Sequence, residues 1–157
     1  MNQAHQEKES QWLAAYHRYT GQKASRGMEL KARAGIVPGC APVGYKNVAG
    51  GVVLDAQTAP LIVEAFHLAA GKMSLEKILT ELTPKGLCSR NYKPMGRSAL
   101  RLILNNPFYI GKLRFKGELL EGKHEPLIKE NLYATVQSAL KSRGRKRNDD
   151  IKQAALY

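Results

Sequence analysis

The chain is 157 residues long, with 25 Lys or Arg against 13 Asp or Glu, a formal net charge of +12. That length fits one domain, with or without an arm, and is too short for a large multidomain enzyme. Hydrophobic residues form 43% of the sequence, enough for a core, and no run of about 18 apolar residues is present to span a membrane.

The opening residues, Met1-Asn2-Gln3-Ala4-His5-Gln6-Glu7, are polar and lack the apolar core of a secretory signal, so a cytoplasmic location is expected. Residues 7–34 have helical spacing: Trp12, Tyr16, Tyr19 and Lys23 fall at i, i+4, i+7 and i+11, and Met28 and Leu30 continue an apolar thread. Gly35 ends this helix. Its aromatic stripe suits either docking on the domain's own core or packing against another subunit or domain. Residues 35–51 are rich in Gly and Pro and read as a linker entering a small hairpin, Tyr45-Lys46-Asn47 with Val52-Val53-Leu54.

An amphipathic helix is expected from Asp55 to Ala70, with Leu61, Ile62, Ala65, Phe66 and Ala69 on one face. Ser74 is a good N-cap for the next helix, in which Leu75, Ile78, Leu79 and Leu82 repeat at i, i+3, i+4 and i+7 before Pro84 and Gly86. Lys85 to Gly96 is an irregular basic loop. A short helix follows over Arg97–Asn105, with Ala99, Leu100, Ile103 and Leu104 inward and Arg97, Ser98, Arg101 and Asn105 on the opposite side. Tyr109, Leu113 and Phe115 then alternate with Ile110, Lys112, Arg114 and Lys116, the pattern of a strand with a basic face that turns at Lys116-Gly117 and returns through Leu119-Leu120. A last helix is expected over 129–142, followed by a basic flexible tail, residues 141–157, holding Arg143, Arg145, Lys146 and Arg147.

The charge is as uneven as the elements. Residues 85–123 carry nine basic and two acidic groups, net +7, and residues 141–157 carry six and two, net +4. Residues 1–34 add +3, while 35–84 and 124–140 are each −1. Excess concentrated in this way favours a polyanionic partner over a merely solvated surface. The order of helix, loop, helix and hairpin is the plan of a winged helix-turn-helix, in which the second helix enters the major groove of DNA. Arg97 and Arg101 lie one turn apart and can both address a groove, since Arg pairs bidentately with guanine; Asn105 can pair with adenine. Ser98 shares their face. Lys85, Arg90 and Lys93 of the loop, and Lys112, Arg114 and Lys116 of the wing, are expected at phosphates, as is the basic tail. One departure is the connection of about a dozen residues between the two helices, where a standard turn has about 3–4.

No catalytic, metal or cofactor constellation is found. His5, His17, His67 and His124 stand alone, and no Gly-rich phosphate loop ends in Lys-Ser or Lys-Thr. Cys40 and Cys88 offer neither a disulfide framework nor a Cys-x-x-Cys zinc half-site and read as small apolar fillers. No membrane and no small-molecule substrate is expected as a partner. An RNA-binding module is less favoured, because Tyr109 and Phe115 are expected to face the core and not to stack on bases.

The sequence also resembles the recombinase domain of the large serine recombinases, the phage integrases and transposon resolvase-like enzymes. The matching runs are Lys31-Ala32-Arg33-Ala34-Gly35, Ala41-Pro42-Val43-Gly44-Tyr45, the helix ending near Phe66, the Leu75 to Leu82 helix, Ile103-Leu104-Asn105-Asn106-Pro107-Phe108-Tyr109-Ile110-Gly111, and His124-Glu125-Pro126-Leu127-Ile128 through Val136-Gln137. They cover about residues 25–140 in order.

The resemblance implies site-specific recombination and DNA integration by a mobile element. In that family a nucleophilic serine in a separate N-terminal domain cuts DNA, a long helix connects it to the DNA-binding domain, and a zinc ribbon usually follows. Residues 1–34 would be the end of the connecting helix, 35–51 the linker and start of the hairpin, 52–140 the DNA-binding domain and 141–157 the tail. The fold class implied is α+β, mostly α, with a winged-helix-like helical domain and small β-hairpins. Double-stranded DNA is the expected partner, with self-association in the full-length recombinase and nucleoid association when bound. No activity is expected of this chain alone, since neither the serine domain nor the ribbon is recognised in it. Tyr16-His17-Arg18-Tyr19-Thr20 echoes the family's Tyr-x-Arg-x-Ser signature with Thr in place of Ser, and is read as coincidence. Near Met95, before the Arg97–Asn105 helix, the family often has a tryptophan, which this sequence lacks there. The competing reading is a winged-helix transcriptional regulator unrelated to recombination.

Overall fold

The structure, a computed structural model, describes residues 3–154, and side chains over 8–142. The chain runs α1 (Gln3–Arg33), β1 (Tyr45–Val48), β2 (Gly51–Leu54), α2 (Ala59–Ala70), α3 (Leu75–Leu82) and α4 (Arg97–Leu104). A 3-10 turn over Pro107–Ile110 leads into β3 (Lys112–Phe115) and β4 (Glu118–Glu121), and α5 (Glu130–Ala154) follows. This is the mostly helical α+β class expected.

α1 stands largely off the domain. Trp12, Tyr16 and Tyr19 are 65%, 51% and 63% exposed, so the aromatic stripe does not dock on the domain's own core. Only near its end does α1 meet the rest, through the fully buried Ala32. Gly35 stops it at φ +75°: its N–H donates to the Ala32 carbonyl (2.9 Å) and the Ile36 N–H to the Lys31 carbonyl (2.8 Å). That paired closure needs a residue in the left-handed region, which glycine enters without steric cost. The Thr20 hydroxyl, part of the echoed signature, donates back along the helix to the Tyr16 and His17 carbonyls.

The residues after α1 belong to the core. Ala41 and Tyr45 are buried with Ile62, Phe66, Ile78, Leu82, Leu100, Leu104 and Tyr109. Tyr45 packs edge-on to Phe108 and donates its hydroxyl to the Glu125 carbonyl at 2.8 Å; Tyr109 packs on Phe66 and donates to the Val43 carbonyl at 2.7 Å. His124 stacks on Phe108 and donates from Nε2 to its carbonyl. Met95 is buried in the same core. Fully burying a large apolar side chain contributes about 1.5–3 kcal/mol, so this cluster supplies most of the fold's cohesion.

Several element boundaries differ from the sequence expectation, three of them with a clear cause or consequence. α2 begins at Ala59, not Asp55, because the Asp55 carboxylate accepts from the Thr58 hydroxyl (2.6 Å) and the Gln57 N–H (3.4 Å) and holds a turn there. The strand expected from Tyr109 begins at Lys112. Asn106 Oδ1 caps the Phe108 N–H at 3.1 Å, and the 3-10 turn buries Tyr109 directly. The helix expected over 129–142 continues to Ala154. Cys40 is exposed and Cys88 half-buried, so Cys40 is no core filler.

Candidate nucleic-acid interface

α3 packs against α4 and α2 against α5. Ser74 caps α3 by accepting the Lys77 N–H at 3.3 Å. α4 is only eight residues long, too short to persist by itself. Leu100 and Leu104 are wholly buried and hold it to the core. Its last carbonyls have partners on α5: Gln137 Nε2 donates to Leu104 O (2.7 Å) and the Tyr133 hydroxyl to Asn105 O (2.8 Å). These satisfy groups that a helix end leaves orphaned, and they fix the angle at which α4 leaves the core. Tyr133 and Gln137 are thus positioning residues that periodicity alone did not single out.

The outward face of α4 carries Ser98, Arg101 and Leu102, all exposed, with Asn105 half-buried. Arg101 makes no ion pair among the described residues. Arg97 lies at the edge of this face and is held by Glu76 of α3 at 2.7 Å. Asn105 turns its amide back onto the Arg101 carbonyl (2.8 Å), closing the helix end.

The remaining sequence-selected cations divide in the same way. Lys85 is held by Glu64 (2.6 Å) and Glu81 (3.8 Å), Lys112 by Glu130 (2.9 Å) and Lys116 by Glu29 (2.9 Å). Hydrogen bonding to Glu64 holds the Lys85 ammonium above its ordinary pKa, and Glu130 does the same for Lys112. Arg90 Nη2 donates to the Ala41 carbonyl at 2.9 Å and ties the loop to the segment before β1. Lys93 and Arg114 have exposed side chains with no ion pair among the described residues. Exposed ion pairs are worth about 0–1 kcal/mol, so the paired lysines can exchange their carboxylates for another anion. Arg143, Arg145, Lys146 and Arg147 lie outside the residues whose side chains are described.

The basic loop is more ordered than its composition suggests. Cys88 and Pro94 bridge across it, with the Ser89 N–H on the Lys93 carbonyl at 2.8 Å. Tyr92 sits at its tip at φ +54° and 91% exposed, a placement no pattern in the sequence signals. The wing turns at Lys116 and Gly117, both at positive φ, as a two-residue hairpin requires. Leu113 points inward while Arg114 faces solvent. Among the described residues no group of His, Cys, Asp and Glu is placed to hold a metal ion.

No curated protein sequence matches this chain. Solved structures share its fold, and two of them superpose to a similar extent. One, described as "Crystal Structure of a LSR-DNA Complex", superposes with a TM-score of 0.65 at 20% identity, covering 76% of this chain and 39% of that one. The other, described as "Sequence Requirements of the Listeria innocua prophage attP site", gives a TM-score of 0.64 at 20% identity, covering 74% of this chain and 50% of that one. This chain therefore spans half or less of the solved chains it matches. The family model described as Recombinase matches residues 56–143, more than half of the sequence and every element from α2 into α5. The chain belongs to the Recombinase family.

Proposed function

We propose that this chain is the DNA-binding part of a large serine recombinase and recognises one half of an attachment site in double-stranded DNA. The observation that carries this reading is the outward face of α4: Arg101, with no ion pair among the described residues, beside Ser98, on a helix locked to the core by Leu100, Leu104 and the α5 caps. Arg101 would read a base edge. Lys93 before the helix and Arg114 after it would meet phosphates, with Lys85, Arg97, Lys112 and Lys116 joining once they leave their carboxylates. The likeness in fold to a structure described as an LSR–DNA complex supports DNA as the partner. Self-association is assigned to the exposed Trp12, Tyr16 and Tyr19 of α1, with Trp12 and Tyr16 already stacked at 5.5 Å. The protein would work in the cytoplasm, on the nucleoid. Among the described residues no helix is long and apolar enough to cross a membrane.

The test is selection of bound duplexes from a random-sequence pool, followed by salt-titrated gel shifts on the enriched sequence. One enriched half-site, with affinity falling by about 0.9 log units per log unit of salt for each phosphate contacted, is expected. Recovery of unenriched sequence would sink the reading.

A further inference from the structure

Leu102 is 74% exposed, the most exposed aliphatic side chain of the domain after α1. Single exposed leucines are ordinary on protein surfaces, so exposure alone decides nothing. Position does. At 100° per residue Leu102 lies roughly 40° from Ser98 and about 60° from Asn105, within the polar outward face and away from the buried Leu100 and Leu104. It is the single apolar member of that face. Arg101, its neighbour in sequence, Lys93 in the loop before the helix and Arg114 on the wing are exposed, have no ion pair among the described residues and suit an anionic surface.

A major groove presents hydrogen-bonding groups at every base pair and one apolar group, the C5-methyl of thymine. Building on the DNA-binding reading above, we propose that Leu102 is a specificity residue that packs on a thymine methyl. Arg101 and Leu102 are consecutive, about 1.5 Å apart along the helix axis. Their side chains also diverge by about 100° around the helix, so with base pairs about 3.4 Å apart the thymine should lie within about two base pairs of the one read by Arg101. No other side chain of the face answers a methyl group: Arg101, Ser98 and Asn105 are all polar.

The experiment uses the full chain and the duplex enriched from the random pool. Each thymine is replaced singly by deoxyuridine, which removes only the methyl. Wild-type affinity should fall roughly three- to fivefold at one position, the worth of one buried methyl. Leu102→Ala should bind more weakly than wild type and be indifferent to deoxyuridine at that position. Leu102→Ala should also keep the wild-type helical circular-dichroism spectrum, since the side chain is exposed. A wild type indifferent to deoxyuridine everywhere, or a Leu102→Ala that keeps the penalty, overturns the Leu102 assignment while leaving DNA recognition intact. Failure of the pool to yield any enriched sequence defeats DNA recognition first and Leu102 with it.

Discussion

Glu29, six residues before the end of α1's closing turn, accepts Lys116 from the tip of the wing at 2.9 Å and Arg33 from its own helix at 3.2 Å. The Lys116 hydrogen bond, with help from Arg33, holds the Glu29 carboxyl below its ordinary pKa. The pair joins the long helix to the hairpin that is expected to touch DNA. A phosphate at the wing must therefore compete with Glu29 for the same ammonium.

Glu29→Gln should release Lys116. DNA binding at low salt should tighten, and the log–log salt slope should steepen by about one, the signature of one added phosphate contact. Salt-titrated gel shifts on a single duplex read both quantities. Unchanged affinity together with an unchanged slope would mean that Lys116 does not reach the backbone.

Arg101→Ala should cost about 1–3 kcal/mol of DNA affinity and relax base preference at one position. Arg97→Ala should cost less, because Glu76 already neutralises that guanidinium. Glu76→Gln should narrow the difference by freeing Arg97. Equal losses for the two arginine variants in gel shifts would contradict the division of roles drawn from the ion pairs.

Gly35→Ala should destabilise the fold by about 1–2 kcal/mol, the cost of a left-handed backbone in a residue with a side chain. The added Cβ would also crowd Lys123 Cγ at 2.9 Å and the Glu121 carbonyl at 3.1 Å. Urea titration followed by circular dichroism measures the loss. A midpoint equal to wild type would show that the closure of α1 tolerates other geometries.

Burial pushes the Tyr45 hydroxyl up to about 12, from an ordinary value of 10.0, and burial raises Tyr109 as well. The unfolded chain ionises these phenols first. Their contribution is therefore fully present below pH 10 and is lost as pH rises from there through the folded value near 12. The urea midpoint should hold steady from neutral pH to about 9.5 and fall beyond 10, and Tyr45→Phe should blunt that fall. A midpoint that stays level to pH 12 would contradict it.

The sequence made some of this legible and hid the rest for physical reasons. The Leu75 to Leu82 repeat and the Ser74 cap located α3 to the residue, because capping and a 3.6 period are local. The outward placement of Ser98 and Arg101 on α4 followed from the same periodicity. Tyr109 did not: its alternation with Leu113 suggested one continuous strand, while Asn106 and Pro107 set a 3-10 turn whose payoff is the distant contact to Val43. The ion pairs were invisible for the same reason. Glu29 and Lys116 are 87 residues apart in sequence, and nothing local announces their meeting. Leu102 lies on that face by its helical angle, but a lone exposed leucine carries no signal in a sequence, because such residues are ordinary on protein surfaces.

The joint at Gly35 gives α1 a mechanical property. The Gly35 carbonyl accepts the Lys123 N–H at 2.9 Å, so the helix is pinned to the end of the wing at one point and strutted by Glu29 and Lys116 at a second. The strut lies about 9 Å from the pin, and the start of the helix about 48 Å from it. α1 is thus a lever with arms in a ratio of about five. While the strut holds, a shift of 1–2 Å at the wing tip corresponds to roughly 5–10 Å at the start of the helix and about 4–8 Å at Trp12. A wing ligand that takes Lys116 from Glu29 would remove this strut and leave α1 held only near its end, by the Gly35 joint and the buried Ala32, so wing engagement would free the distant aromatic surface to move.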